Sequence, residues 1–489
     1  MKTVVLESLG CKLNQAELEL LMEQFVAAGY GIGSDISEAD VYLLNSCTVT
    51  HIADRKTRHL IRRAHRNNPD AVIIVTGCYA QRNPEELRAM SEVDCVVDNE
   101  NKGQLLEKVT SMLDREKTRE EKNDNKIPFN PLLRKGKIIA SDGLLNDGHH
   151  FRTRSLLKIQ EGCSHSCSFC IVPYVRGRSR SISEQQILNN IKNRVAAGYK
   201  EVTLTGTRIG DYDCQQSMES CQELVTIFPS GLSREHSCSR NDNTDEETES
   251  SSRRVKIQKE RQRRSSAGNL VNLVQNILDA TEIERLRLSS LSPQDITPEM
   301  VDLFRNSRLC RHIHVSLQSG SDTILRKMKR TYTAAEYAEV VHYAHKSIAG
   351  LAITTDVIIG FPGETAEEFE ESYDFCCKMD FARMHVFPYS QRPGTPAAEI
   401  TSQVNASIKQ AHMRRMLELS QVLKKRFEAK FIGQKFPVLW EQQEKSGIWS
   451  GLTDNYIRMF VHSGKDLTNQ LLLAELVSVT ERGVLGRLC

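Results

Sequence analysis

The stretch Glu161-Gly-Cys-Ser-His-Ser-Cys-Ser-Phe-Cys-Ile-Val-Pro173 places Cys163, Cys167 and Cys170 on one short loop with the spacing Cys-x3-Cys-x2-Cys. A 4Fe-4S cluster is usually held by four cysteine thiolates, so three thiolates leave one iron open to a small molecule. The alternative is a structural zinc site, which needs a fourth protein ligand. His165 could serve, but it lies inside the loop between the first two cysteines. The spacing therefore favours an iron–sulfur cluster.

The same spacing, with Phe169 directly before the last cysteine, resembles the cluster loop of radical S-adenosylmethionine (SAM) enzymes. In that superfamily the amino and carboxylate groups of SAM bind the open iron. The resemblance implies a partial parallel (βα)6 barrel, in which active sites lie at the carboxyl ends of the strands. Six strand patterns fit this barrel: 155–160, 201–206, 285–291, 312–317, 352–360 and 385–390.

Composition places the chain among multidomain proteins of a reducing compartment. At 489 residues it is long enough for about three domains. The apolar run after Met1 ends at Glu7, which is too short for an export signal, and no run approaches the ~18 apolar residues of a spanning helix. We therefore expect a cytoplasmic protein with no membrane contact. There, most of the 14 cysteines serve metal binding, catalysis or packing rather than disulfides.

The segment 1–140 alternates apolar strands with amphipathic helices, which predicts an open parallel α/β sheet. Cys11, Cys47 and Cys78 each follow a predicted strand directly. Because the carboxyl ends of parallel strands share one edge, these cysteines are expected to converge. The alternative is three buried cysteines that act as small apolar residues. Gly10 and Gly77 precede two of the three and would let the backbone approach a bulky group closely, which favours a second cluster.

The surrounding motifs resemble those of the radical SAM methylthiotransferase family. The three motifs are Leu9-Gly-Cys-Lys-Leu-Asn-Gln15, Asn45-Ser-Cys-Thr-Val-Thr50 and Thr76-Gly-Cys-Tyr-Ala-Gln81. Details at 10–15, 314–322 and 385–398 resemble the branch that methylthiolates N6-threonylcarbamoyladenosine in tRNA, beside the anticodon. The resemblance implies two 4Fe-4S clusters and SAM as cofactors. It assigns one cluster to Cys163, Cys167 and Cys170, where SAM is cleaved, and the other to Cys11, Cys47 and Cys78.

The resemblance also implies SAM contacts at the ends of the barrel strands. These positions are Thr205, Gly206, Ser289, Gln318 and Gly360. Ordinary turn chemistry is the alternative, because glycine and small polar residues are common in loops. Arg176 and Arg178, just after the cluster loop, could steer a phosphate or a carboxylate, or they could lie in a solvated loop.

The remaining segments contribute no cysteine motif. We place the barrel domain at 150–392 and interpret 214–268 within it as a disordered insertion, since it is highly charged and has few apolar residues. A basic arm that touches RNA is the alternative there. Short strands in 428–489 predict a small OB-like β-barrel that resembles the TRAM module, an RNA-binding domain.

The expected function is a transferase that acts as a monomer on the tRNA anticodon stem-loop. It would be reduced by an electron donor such as flavodoxin or ferredoxin. Two alternatives stay open from the sequence. One keeps the chemistry but changes the substrate to isopentenyladenosine tRNA or an aspartate of a ribosomal protein. The other is a non-catalytic iron–sulfur RNA-binding protein whose insertion has disabled the barrel.

Overall fold

In the computed structural model the protein is described over residues 1–120, 153–213, 269–445 and 447–489. The expected insertion at 214–268 lies outside these residues. The described chain forms an N-terminal sheet, a central incomplete barrel and a C-terminal closed barrel. This is the α/β multidomain architecture that the sequence predicts.

The N-terminal sheet has five parallel strands in the order β2-β1-β3-β4-β5. Its strands are β1 (Thr3–Ser8), β2 (Gly31–Gly33), β3 (Val41–Ser46), β4 (Val72–Gly77) and β5 (Cys95–Val97). The central strands β3 and β4 are buried along their whole length because helices cover both faces of the sheet. The helices are α1 (Lys12–Ala27), α2 (His51–Asn67), α3 (Cys78–Arg82), α4 (Pro84–Arg88) and α5 (Leu105–Glu120).

The central barrel is built from two parallel sheets that share a broken third strand. The first sheet has the order β10-β9-β6 and the second the order β11-β12-β13-β14. Its strands are β6 (Arg154–Lys158), β9 (Glu201–Thr205), β10 (Arg285–Leu288), β11 (Ser290–Leu291), β12 (His312–Val315), β13 (Ala352–Ile359) and β14 (Arg383–Pro388). The chain passes from β10 to β11 at Ser289, so all six expected strand positions are present and in sequence order.

Helices cover the outside of this barrel, and their buried side chains pack with those of the strands in one large apolar core. They are α6 (Val172–Arg176), α7 (Glu184–Ala196), α8 (269–280), α9 (Pro298–Asp302), α10 (Asp322–Lys327), α11 (Ala334–Ser347), α12 (Ala366–Lys378) and α13 (Ala406–Ala429). A short antiparallel pair, β7 (Gln160–Glu161) with β8 (Arg180–Ser181), closes the base of the cysteine loop. The barrel is therefore intact on both sides of the insertion.

The C-terminal unit is a closed five-stranded barrel with the order β15-β16-β17-β19-β18. Its strands are β15 (Lys435–Lys445), β16 (Ile448–Thr453), β17 (Arg458–His462), β18 (Leu471–Val479) and β19 (Val484–Leu488). Its core contains the fully buried ring of Trp440. The predicted small β-barrel is confirmed.

The turn after β16 fixes the C-terminal barrel beneath the central one. Arg287 is fully buried and donates to the backbone carbonyls of Thr453 and Asp454, at 3.2 and 3.0 Å. It also pairs with buried Glu201 at 2.7 Å. Although burial alone would raise the pKa of Glu201, the Arg287 guanidinium holds it at about 2. Hydrogen bonds from a buried, charge-paired arginine thus join the two barrels. No described helix is both apolar enough and long enough to cross a bilayer.

Candidate active site

The cysteine loop lies at the carboxyl end of the first barrel strand. Below it, β7 pairs with β8, and the Cys163 amide donates to the Gly177 carbonyl at 3.0 Å. The Cys170 amide donates to the Cys167 carbonyl at 3.2 Å, which folds the second half of the loop into a turn. The side chain of Phe169 points inward and makes an edge-on contact with Phe361. The loop therefore presents its three thiols from a fixed backbone.

His165 does not complete a zinc site with these thiols. Its Nε2 atom lies 3.2 Å from Asp211 Oδ1 and also contacts the Arg208 guanidinium. Every cysteine in the described residues is free, and none of these residues form a group of three or more His, Cys, Asp or Glu side chains that suits a single metal ion. The donor set consists of soft thiols alone, which fits an iron–sulfur cluster better than an isolated ion.

The second trio converges at one edge of the N-terminal sheet, as predicted. Cys11 is the residue before α1, Cys47 follows β3, and Cys78 opens α3. The strands that lead to them, β1, β3 and β4, are neighbours in the sheet. Gly10 has φ +95°, and a Cβ built on it would lie 2.6 Å from the Cβ and Sγ atoms of Cys47. A glycine is needed there so that the first two cysteine loops can approach each other.

Members of both trios line one cavity, which has a volume of about 640 Å³. Cys11 and Cys47 line it from the N-terminal sheet, and Cys170 lines it from the barrel loop. Cys78 lies just behind and packs against Ile171 and Val175, which follow the barrel loop. Most of the other lining side chains are apolar: Leu9, Val49, Ile52, Phe169, Ile358, Phe387 and Tyr389. The cavity can therefore hold a largely apolar group between two sets of thiols.

Two arginines each touch a thiol of a different trio, the buried Arg176 and the half-buried Arg330. Arg176 donates to Cys78 Sγ at 3.2 Å, and Arg330 donates to Cys167 Sγ at 3.3 Å. Arg176 also bonds Glu17 Oε1 at 2.7 Å and Glu161 Oε1 at 2.9 Å, and only 4% of it is exposed. The expectation that Arg176 steers a substrate anion or lies in a solvated loop is therefore wrong. It instead connects the N-terminal sheet with the barrel loop.

Burial controls the protonation of the thiols. It raises the pKa of Cys47 and of Cys170 to about 12, and it also raises the pKa of Cys78 and Cys163. A thiol must lose its proton before it binds iron, and the positive charge of the metal compensates for this cost. These four thiols are therefore protonated at neutral pH, and cluster assembly on them is coupled to proton release.

Among the expected SAM contacts, Gln318 lines the cavity together with Asp356 of β13. Gln318 has φ 74°, a left-handed conformation that is unusual for a residue other than glycine. Its backbone is fixed there because its amide donates to the Asp356 carbonyl at 2.8 Å and its carbonyl accepts from the Ile358 amide at 2.9 Å. Backbone strain that the surrounding structure enforces is typical of a functional position.

The other expected contacts lie at strand ends but do not line the cavity. Thr205 is the last residue of β9, and Gly206 follows it against Gln160. Ser289 is buried between β10 and β11. Gly360, with φ +71°, follows β13 and packs against Lys409. These four residues occupy the predicted edge of the barrel, so they remain candidates for the part of SAM that lies away from the thiols.

The sequence did not point to Arg330, Asp356, Phe387 or the first turns of α2 as parts of the site. No local motif marks them, because Arg330 reaches Cys167, and the others reach the cavity, through contacts between residues far apart in the chain. The basic composition of α2 was visible in the sequence, but its position beside the cavity was not.

Comparison with known proteins agrees with this arrangement. A family model described as the Radical SAM superfamily matches residues 157–376. A model described as the uncharacterized protein family UPF0004 matches residues 3–98. The first match contains the cysteine loop, the end of the first barrel strand and the next four strands, and the second contains Cys11, Cys47 and Cys78.

Full-length relatives are also found. A Bacillus subtilis protein named threonylcarbamoyladenosine tRNA methylthiotransferase MtaB is 34% identical over 98% of this chain and 94% of its own length. A Fusobacterium nucleatum protein named tRNA-2-methylthio-N(6)-dimethylallyladenosine synthase is 29% identical over 97% of this chain and 93% of its own. Among solved structures, the radical S-adenosylmethionine methyltransferase TsrM from Kitasatospora setae aligns with 81% of this chain and 77% of that one, at 14% identity and a TM-score of 0.47.

Three findings agree with one another. The chain has the cysteine loop of a radical SAM barrel, it has a second cysteine trio, and it is 34% identical to the B. subtilis protein over nearly its full length. The chain therefore belongs to the threonylcarbamoyladenosine tRNA methylthiotransferase family of radical SAM enzymes.

Proposed function

We propose that this protein adds a methylthio group to carbon 2 of N6-threonylcarbamoyladenosine next to the anticodon of tRNA. The observation that carries the proposal is the single cavity lined by Cys11 and Cys47 from one trio and Cys170 from the other. A reaction that combines radical generation with sulfur insertion needs both groups within reach of one carbon atom. The family relationship supports the substrate, and the family uses two 4Fe-4S clusters and SAM.

In this proposal Cys163, Cys167 and Cys170 hold one cluster, and Cys11, Cys47 and Cys78 hold the other. The target C–H bond is unactivated, so acid–base side chains cannot replace its hydrogen, and the bound cofactors supply the radical and sulfur chemistry. The chain's own residues hold the cofactors in place and exclude water. The apolar walls at Phe169 and Ile358 serve the second purpose, since a dry pocket protects a reactive intermediate.

We assign SAM to the barrel edge formed by Thr205, Gly206, Ser289, Gln318 and Gly360. Gln318 is best placed, because its side chain lines the cavity next to Cys170. The C-terminal barrel is proposed to contact the tRNA anticodon stem-loop, and a small electron donor such as flavodoxin or ferredoxin to supply electrons. Since all six cysteines come from one chain, a single copy contains the whole site, which supports a monomeric enzyme.

The test is nucleoside analysis by mass spectrometry. Anaerobically reconstituted protein would be incubated with SAM, dithionite and total tRNA that carries both threonylcarbamoyladenosine and isopentenyladenosine but lacks their methylthio derivatives. The proposal predicts the methylthio derivative of that nucleoside. Methylthiolation of isopentenyladenosine alone, or 5′-deoxyadenosine without any modified nucleoside, would contradict the assigned substrate. A protein with clusters that binds RNA but forms no 5′-deoxyadenosine would be a non-catalytic relative.

A further inference from the structure

Helix α2 carries a stripe of basic side chains on its outer face. Arg55, His59, Arg62 and Arg66 recur at positions i, i+4, i+7 and i+11, so they share one face of the helix. All four are exposed. The opposite face is buried against the sheet through Asp54, Thr57, Leu60, Ile61 and Ala64. The stripe is therefore separate from the packing that holds α2 in place.

The charge of this stripe is largely uncompensated within the described chain. Arg55, His59 and Arg66 form no ion pair with another described residue. Arg62 has Glu92 at 3.8 Å, and 59% of the Arg62 side chain stays exposed. By contrast, the arginines beside the stripe are paired, Arg58 with Glu86 at 2.8 Å and Arg63 with Glu7 at 3.0 Å. The unpaired positive charge is thus concentrated on one outward-facing line.

The stripe begins where α2 borders the cysteine cavity. Thr50, Ile52, Ala53 and Lys56, in the first two turns of α2 and the residue before it, line that cavity. Three large apolar side chains at the same rim are exposed: Val49 by 49%, Ile52 by 47% and Phe387 by 44%. Exposed aromatic and apolar side chains beside a line of cations suit single-stranded nucleic acid. Bases stack on the aromatic and apolar side chains, and phosphates bind the cations.

We propose that α2 is the docking surface for the substrate RNA, with backbone phosphates on Arg55, Arg62 and Arg66 and the target base passing over the apolar rim into the cavity. The proposal rests on the proposed function, since it takes RNA as the substrate. Arg55 and Arg66 are separated by about 16 Å along the helix, which is long enough to span several phosphates of one strand. The surface is thus long enough to fix the orientation of the RNA as well as its affinity.

RNA fits this surface better than an acidic electron-donor protein, which is the other negatively charged partner that the enzyme needs. The target base has to reach the cavity, so the RNA backbone must pass over the rim that the first turns of α2 help to form. An electron donor has only to approach a cluster, and nothing in its chemistry requires an apolar rim with an aromatic ring. Exposed cations beside an apolar rim therefore favour RNA over an electron-donor protein as the partner of this surface.

The test compares two triple variants of the full-length reconstituted protein. One replaces the stripe by Arg55→Gln, Arg62→Gln and Arg66→Gln. The control replaces three exposed cations of α13 by Arg414→Gln, Lys425→Gln and Arg426→Gln. Binding of a fluorescently labelled anticodon stem-loop RNA is measured at several salt concentrations. Iron content equal to that of the wild type confirms that each variant is folded.

The proposal predicts that the α2 variant loses at least tenfold in RNA affinity, while the α13 control binds like the wild type. The slope of log K against log salt should fall by about 2 for the α2 variant, since each lost phosphate contact removes about 0.7. Unchanged RNA binding by the α2 variant, or an equal loss in the control, would overturn the proposal. So would normal RNA binding combined with slower reduction by flavodoxin. Because no turnover is measured, this result is independent of the nucleoside analysis.

Discussion

At the scale of single residues, Gln318 combines backbone strain with a position in the cavity. Its φ of 74° is one that glycine adopts without cost, whereas another residue pays about 1 kcal/mol or more. Gln318→Gly should therefore raise the free energy of unfolding by about 1 kcal/mol, or leave it unchanged. It should also weaken SAM binding about fivefold, the effect of one lost hydrogen bond. Urea denaturation and equilibrium dialysis with SAM measure the two effects, and unchanged SAM affinity would remove Gln318 from the SAM site.

Glu364 gives the site edge a pH-dependent contribution to stability. Burial raises its pKa to about 7, although its carboxylate accepts a bond from the Gly360 amide at 2.7 Å. An unfolded glutamate titrates near 4.3, so the folded state disfavours the charged form, and this residue costs increasing stability as pH rises from about 4.3 to 7. Glu364→Gln should therefore stabilise the protein at pH 8 more than at pH 5. Urea unfolding at both pH values checks this, and an effect that does not change with pH would contradict it.

The placement of the two cysteine trios could be predicted from the sequence, whereas the residues that contact them could not. The motifs around Cys11 and Cys163 contain local spacing that a reader can recognise without a structure. Arg176 and Arg330 act through contacts with Cys78 and Cys167, which are 98 and 163 residues away along the chain. An isolated arginine carries no sequence signal for such a contact, and Arg176 was accordingly misinterpreted.

At the scale of elements, the loops after β1 and β3 must approach closely to bring Cys11 and Cys47 together. Gly10→Ala should disrupt this approach, because its Cβ would overlap the Cys47 side chain and φ +95° is strained for alanine. We expect the iron content to fall by about half, through loss of the cluster assigned to this trio. Gly29→Ala is a matched control, since Gly29 has φ +83° but open space around it. Full iron content in the Gly10 variant would show that the close approach is not needed.

Most strands and helices follow from hydrophobic patterning, and the exceptions have physical reasons. The strand β2 is only three residues long, two of them glycine, and it is defined by pairing with β1 rather than by its own pattern. The third barrel strand reads as one segment in the sequence but breaks at Ser289, where the chain passes from one sheet to the other. Such breaks depend on tertiary pairing, which periodicity does not report.

At the scale of the whole molecule, Arg176 joins the two cysteine-bearing units. Removing it would leave the buried negative charges of Glu17 and Glu161 with fewer positive charges beside them. Glu17 would keep Lys102 at 2.7 Å, and Glu161 would keep Lys158 at 2.9 Å. Arg176→Gln should therefore cost about 3 to 5 kcal/mol of stability. The exposed pair of Arg63 with Glu7 is the control, where Arg63→Gln should cost less than about 1 kcal/mol. Equal effects in denaturant unfolding would contradict the role of Arg176 in joining the units.

The arrangement of the three units was not predictable from their separate patterns. Arg287 lies in a strand that reads as part of the barrel, yet its side chain binds the turn of the C-terminal barrel at Thr453 and Asp454. The meeting of both trios in one cavity likewise depends on how the N-terminal sheet packs on the cysteine loop. The sequence predicted each half of the site, and the packing of the units brings the halves together.

The most direct test of two clusters on two cysteine trios is the iron and sulfide content of three anaerobically reconstituted proteins. We expect about eight irons per chain in the wild type. We expect about four when Cys163, Cys167 and Cys170 are replaced by alanine, and about four when Cys11, Cys47 and Cys78 are replaced. About four irons in the wild type, unchanged by the loss of Cys11, Cys47 and Cys78, would contradict the second cluster and leave a radical SAM enzyme with one.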